Sequence, residues 1–182
     1  MDQIDTRIDR ILSNTFTKSD CYKRLLILQD FLSFALYRDT ARARPLTALL
    51  RERYSGHTES PHAEAIAAWG EDFLKSFEAQ SDDSVESLKV RIAAMPDLLL
   101  YVPVVLDPVQ VEMIAAWCRT NVDPRVFLDL HVDASAAGGC MIVWKSVLYD
   151  FSLRYFVRKH ASEISQMVER VVSTAQASTA AA

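Results

Sequence analysis

Glycine occurs only four times and proline six times in 182 residues. These two residues are the main punctuation of regular structure, glycine through its backbone freedom and proline through its missing N–H. A chain so poor in both is built from long uninterrupted segments, and helices satisfy such segments most readily. Half of the residues are hydrophobic and 24% are charged, the balance of a soluble globular protein rather than a disordered one. The length suits one domain or two small ones.

The first 97 residues read as a helical bundle. Ile4, Ile8, Ile11 and Leu12 fall on one helix face. Ser13-Asn14-Thr15 breaks that pattern, and Ser19 or Asp20 is placed to cap a second helix running to about Tyr37. That helix is apolar nearly all round (Leu25, Leu26, Ile27, Leu28, Phe31, Leu32, Phe34, Leu36), so it is either central in a bundle or buried against a partner. Pro45 to Leu50 suits a short helix. Ser60-Pro61 opens another, with Ile66, Trp69, Phe73, Leu74 and Phe77 on one face and Gly70 inside it at a cost of about 1 kcal/mol. Ser81-Asp82-Asp83-Ser84 is the next cap, and Val85, Leu88, Ile92 and Met95 line a helix that Pro96 ends. Four or five helices are expected in this half.

From residue 98 to about 172 the pattern becomes a small α/β domain in the order strand, helix, strand, strand, helix. The fold class is thus mostly α, a bundle followed by that domain, with 173–182 as a low-complexity, frayed tail. Leu98 to Leu106 has strand length and β-branching. Asp107-Pro108-Val109-Gln110 spells a capping box with proline at the first helical position, opening a helix to about Asn121 whose buried side holds Val111, Ile114, Ala115 and Cys118. Val126, Leu128 and Leu130 alternate as a second strand. Cys140 to Trp144 is a third, Lys145-Ser146 a tight turn, Val147 to Tyr149 the returning strand, and Phe151 to Val172 a closing helix.

The residues offer little chemistry. Net charge is −4, which is no electrostatic footprint for nucleic acid. Arg38, Arg42, Arg44, Arg51 and Arg53 form either a basic patch or a solvated face paired with acids, without interleaved aromatics for stacking bases. Cys21, Cys118 and Cys140 are odd in number and far apart, which suits reduced thiols. His57 and His62 lie five apart, poor spacing for a metal pair. Cys140 follows two glycines but has no helix N-terminus behind it. Gly138-Gly139 lies between strands with no Gly-Lys-Ser/Thr after it, so a turn or bulge needing positive φ or close backbone approach is the reading, not a phosphate loop. Asp133 before it suits a turn acceptor better than a general base. No catalytic, cofactor or metal residues are assigned. The start, Met1-Asp2-Gln3-Ile4-Asp5, lacks the pattern of a signal peptide, and no stretch approaches the ~20 apolar residues that span a bilayer.

The stretch from Leu128 to Leu153 carries a strand, then Asp133, Ser135, Gly138 and Gly139, an apolar strand, a turn, a brief strand, Asp150, Ser152 and a helix. In order and spacing it resembles the C-terminal signature of ATP synthase delta subunits, the family of the oligomycin-sensitivity-conferring protein. Val102 to Gln110 is similar to the family's strand leading into its next helix, so the resemblance covers about residues 98–170. Ala134 stands where the family has proline, Ala136 and Ala137 where it has larger apolar residues, and Lys145-Ser146 where it has Gly-Asp. The family's Tyr-Ala-x-Ala-Leu near the N-terminus is absent.

The resemblance implies a non-catalytic stator subunit of an F-type ATP synthase, acting during proton-driven ATP synthesis. Its bundle would grip alpha subunits on the catalytic head, and its C-terminal part would bind the peripheral-stalk subunit. It would be membrane-associated only through the complex, on the cytoplasmic side (matrix or stroma in an organelle). Asp150 is placed to cap the closing helix, whose Phe156, Ile164, Met167 and Val168 either pack their own domain or contact a partner. The alternative is a soluble helical adaptor or regulatory protein that binds a partner helix through residues 22–37. A small enzyme using Cys140 or His131 is the third reading.

Overall fold

A computed structural model describes residues 3–36, 44–77, 81–136 and 138–180. Six helices come first: α1 (Gln3–Leu12), α2 (Lys18–Leu36), α3 (Leu46–Tyr54), α4 (Ser60–Ala67), α5 (Glu71–Lys75) and α6 (Ser81–Ala93). Strand β1 (Asp97–Val102), helix α7 (Pro108–Asn121) and strand β2 (Phe127–Val132) follow. A 3-10 turn (Ala134–Ala136), strands β3 (Met141–Trp144) and β4 (Val147–Asp150), and helices α8 (Leu153–Lys159) and α9 (Ala161–Ala180) complete the order. The architecture is mostly helical with a small sheet.

The chain divides into two compact units, one of residues 1–97 with 107–129, the other of 98–106 with 130–182. The first stretch of the helical unit ends at Asp97, and α7, expected in the small α/β domain, returns to that unit. Polar ties within that unit account for the return. Arg119 on α7 donates to the carbonyls of Leu12 (2.5 Å) and Thr15 (2.6 Å), and Arg125 reaches Asp5 (2.8 Å) and Asp9 (3.2 Å) on α1.

The helical unit owes its cohesion to one apolar core. Ile8, Ile11 and Leu12 of α1 meet Leu25, Leu28, Phe31 and Leu32 of α2, and Trp69, Phe73, Leu74 and Phe77 join them with Val85, Leu88 and Ile92 of α6. Each fully buried side chain of this size stabilises the fold by roughly 1.5–3 kcal/mol. The apolar helix α2 is therefore central in the bundle, with Leu26 its one strongly exposed large apolar residue among those described. Its cap is Thr17, not Ser19 or Asp20: the Thr17 hydroxyl accepts from the Asp20 N–H at 3.1 Å and donates to the Asp20 carboxylate at 2.8 Å. Tyr37, Arg38 and Arg42 lie outside the described residues.

Two expected helices are each broken in two. Gly70 lies not inside a helix but at a break between α4 and α5, with φ +97°. A side chain is strained at that angle, and a Cβ there would approach the Arg10 guanidinium to 3.3 Å. The Glu71 carboxylate just beyond accepts from the N–H groups of Leu46 (2.9 Å) and Thr47 (3.1 Å), capping α3, whose own N-cap is Pro45 and offers no side-chain oxygen. Burial raises the Glu71 pKa, but these hydrogen bonds outweigh it and hold the carboxyl below its ordinary value. The closing helix, expected as one, is α8 and α9, parted at His160 (φ −109°, ψ 20°). α9 runs through the alanine-rich tail to residue 180, consistent with the high helix propensity of alanine. The break at Gly70 brings the helices before residue 97 to six among the described residues, rather than four or five. α6 begins at Ser81 itself.

The sheet has the order β2-β1-β3-β4. Phe127 N–H donates to Pro96 C=O and Asp133 N–H to Val102 C=O. Both bonds join residues 31 apart, so β2 runs parallel to β1, as a β-α-β unit with α7 as its crossover. β3 is antiparallel to β1 (Leu100 opposite Ile142) and to β4 (Trp144 opposite Val147). β1 stops at Val102, short of the expected Leu106, with Pro103 next; it buries Leu98, Leu100 and Val102 in alternation. β2 does not alternate at its start, because Val126, Phe127 and Leu128 are all buried. The capping box at Asp107 forms in full, with Gln110 N–H donating to the Asp107 carboxylate at 2.8 Å and Asp107 N–H to the Gln110 side chain at 3.0 Å. Of the buried side expected for α7, Ala115 and Cys118 are buried and Val111 and Ile114 half-buried.

Candidate partner interface

Four of the six motif residues, Gly138, Gly139, Asp150 and Ser152, meet at one junction of the second unit, and Asp133 and Ser135 shape the turn that leads into it. Asp133 ends β2 and its carboxylate accepts from the Ser135 N–H at 2.8 Å, turning the chain into the 3-10 turn. Hydrogen bonds from Ser135 hold the Asp133 carboxyl below its ordinary pKa. Gly138 follows at φ +75°, and Gly139 then runs against the far end of the hairpin. A Cβ on Gly139 would lie inside the Phe151 carbonyl oxygen and 2.9 Å from the Ser152 Cα. Both readings of the glycine pair therefore hold, positive φ at the first and close backbone approach at the second.

The other side of the junction is built from the same device. Phe151 N–H donates to Cys140 C=O at 2.9 Å, extending the β3–β4 ladder by one pair. The Asp150 carboxylate accepts from the Ser152 N–H at 2.8 Å, and the buried Ser152 hydroxyl accepts from the Tyr155 N–H at 3.1 Å. The cap of α8 is thus Ser152, with Asp150 shaping the turn before it, rather than Asp150 itself. Contacts with Ser152 lower the Asp150 pKa.

Beyond the junction the apolar side chains remain open to solvent. Phe156 is 55% exposed, Met167 63% and Val168 55%, while Ile164 is half-buried. None of the exposed three belongs to a buried core. α8 buries none of its residues. The Phe156 ring lies 4.6 Å from that of His160, whose Nδ1 is 3.1 Å from the Glu163 carboxylate. This gives Phe156 a defined orientation at the α8–α9 break.

Cys140 is half-buried and burial pushes its thiol up, away from the thiolate. Burial raises Cys118 too, and raises Cys21 to about 12. His131 stacks on Tyr101 at 5.2 Å. Among the described residues no group of three His, Cys, Asp or Glu side chains is placed to hold a metal ion, and no helix is long and apolar enough to cross a membrane. A groove of about 580 Å³ in the helical unit is lined by Arg7, Arg10, Ser13, Trp69, Asp72 and Ser76 among others. Its polar groups face the fold: Arg7 donates to Ser76 C=O (2.6 Å), Arg10 to Trp69 C=O (2.7 Å), and the Ser13 and Ser76 hydroxyls to Arg10 C=O and Phe73 C=O (both 2.7 Å).

Of the arginine cluster between residues 38 and 53, the three described members are paired with acids. Arg44 meets Glu52, Arg51 meets Glu64, and Arg53 meets Asp30. Sequence reasoning missed the polar node that organises the end of α1. The Asn14 side chain accepts from Trp69 Nε1 (2.7 Å) and donates to Ala65 C=O (2.8 Å), and Arg24 binds both Asn14 C=O and the Thr15 hydroxyl at 2.7 Å. Only the interruption at Ser13-Asn14-Thr15 signalled it. No protein-family model matches the chain, and no curated protein matches it either.

Proposed function

We propose that this chain is a non-catalytic stator subunit of an F-type ATP synthase, linking the catalytic head to the peripheral stalk. The observation that carries the reading is the junction of Gly138-Gly139 with Asp150 and Ser152. Four residues that define the resemblance to the delta family, separated by up to 14 positions, meet at one close backbone approach. Their spacing therefore answers to one geometric demand, and that is what a shared fold would impose. The open apolar side chains of α8 and α9 supply the partner surface that a connector requires.

The rival adaptor reading loses its proposed site, because Leu25, Ile27, Leu28, Phe31 and Leu32 of α2 already fill the bundle core. The test is purification from native membranes in mild detergent. Synthase alpha, beta and stalk subunits are expected to accompany the protein. Recovery only in soluble complexes lacking them overturns the stator role.

A further inference from the structure

We infer that α8 is a docking surface for an acidic amphipathic helix of another protein. Leu153, Phe156 and Val157 recur at i, i+3 and i+4 and so share one helix face, and all three are between 44% and 55% exposed. On the helical wheel Arg154 borders that face beside Val157 and Lys159 borders it beside Phe156, with Arg158 one turn on from Arg154 and farther from the strip. α8 contains no acid. An apolar strip edged by cations fits a helix whose apolar strip is edged by carboxylates.

The state of the cations supports this. In the helical unit Lys18, Arg44, Arg51, Arg53, Lys75, Lys89, Arg91 and Arg125 each hold a carboxylate within salt-bridge distance. Among the described residues Arg154, Arg158 and Lys159 hold none. Asp150 acts on Arg154 and Arg158 only at longer range, its carboxylate being bound to the Ser152 N–H. Lys159 lies 5.8 Å over the Tyr155 ring. Three cations on one seven-residue helix thus keep their charge for an outside anion.

Charge also selects the occupant. A second copy docking α8 against α8 would set these cations against each other. An anionic membrane would face a chain of net charge −4, and α9, next along, carries Glu163 and Glu169 against Arg170. A single acidic helix meets α8 alone and avoids both penalties.

The inference rests on the partner surface proposed above and names the chemistry of its occupant; the peptide test reads that chemistry alone, while co-purification with synthase subunits reads the stator role. The test uses the full chain and two synthetic helical peptides with leucine on one face, one flanked by glutamates and the other by lysines, read by fluorescence anisotropy. The glutamate peptide is expected to bind and the lysine peptide not to. Arg154→Glu with Arg158→Glu should weaken binding by about tenfold or more, and Phe156→Ala by a similar factor, with unchanged circular dichroism. Added salt should weaken it further. Failure of the glutamate peptide to bind, equal binding of both peptides, or indifference to the charge reversal overturns the inference. So does capture of phosphatidylglycerol vesicles in place of the peptide, or self-association abolished by the same substitutions.

Discussion

The two units treat hydrophobic residues in opposite ways. In the helical unit apolar side chains from α1, α2 and α4 through α6 close on one another, and the large ones at the centre are fully buried. In the second unit Leu98, Leu100, Val102 and Ala136 are buried, while Val147, Leu148, Phe151, Leu153, Phe156, Met167 and Val171 are each half exposed or more. The first unit is held by packing. The second is held by strand pairing, two Asp-x-Ser turns and one close backbone approach, features that contribute about 1 kcal/mol each rather than several. The contrast locates the surface that has most to gain from a partner. α7 qualifies it, since Val109, Met113 and Trp117 leave an open apolar stripe on the helical unit as well.

One pair of substitutions probes the contrast most strongly. Phe31, fully buried, and Phe156, more than half exposed, are the same residue in the two regimes. Phe31→Ala is expected to cost about 3–5 kcal/mol in urea unfolding, through lost burial and the cavity left behind. Phe156→Ala should stay within about 0.5 kcal/mol. Comparable losses at the two positions would abolish the distinction.

Arg119 tests whether packing alone holds the first unit. Its guanidinium reaches the carbonyls of Leu12 and Thr15 and, at 3.3 Å, that of Val126. Burial lowers its pKa, but these carbonyls satisfy its donors. Arg119→Ala leaves partly buried carbonyls unpaired and should cost about 3 kcal/mol by the same unfolding measurement. Arg119→Lys should recover only part of it, because an ammonium lacks the planar fork that reaches several acceptors. Full recovery by lysine would reduce the contact to charge.

Gly139 turns the comparison to the second unit. Gly139→Ala forces the Phe151–Ser152 backbone away and should cost about 2–3 kcal/mol. Amide hydrogen exchange is the measurement. The amides of β3, β4 and α8 are expected to lose protection while those of α2 and α6 keep theirs. Equal loss in α2 would mean that the two units unfold as one.

What the sequence made legible divides along the same line. Local devices could be read directly: the α1 stripe, the capping box at Asp107 and the positive φ of Gly138 each follow from residues within a turn of one another. Gly70 was misplaced because a lone glycine in an apolar helical pattern is tolerated about as readily as it breaks the helix, and the choice was made by distant Arg10. The node of Asn14, Thr15, Arg24, Trp69 and Arg119 had no local signature, since its bonded partners lie up to 104 residues apart. The exposure of α8 was hidden for a related reason. An apolar pattern reports that a face is suited to burial, not whether the chain holds anything to bury it.

The smallest effect concerns the hairpin that carries the open face. Lys145 and Ser146 both adopt positive φ, 49° and 65°, in a two-residue turn between β3 and β4. Two-residue hairpins with both central residues left-handed favour Asn-Gly, because asparagine tolerates that conformation and glycine adopts it freely. Lys145→Asn with Ser146→Gly should therefore relieve strain, offset in part by the greater freedom of glycine in the unfolded chain. The net gain expected is about 0.5–1 kcal/mol, read as slower amide exchange in β3 and β4 with α2 unchanged. The substitution also removes the Lys145 ammonium, 5.4 Å from the Trp144 ring, which trims the gain. A loss of protection in β3 and β4 would show that this lysine contact outweighs the backbone strain, so that side-chain contacts help to hold the second unit as they do the first.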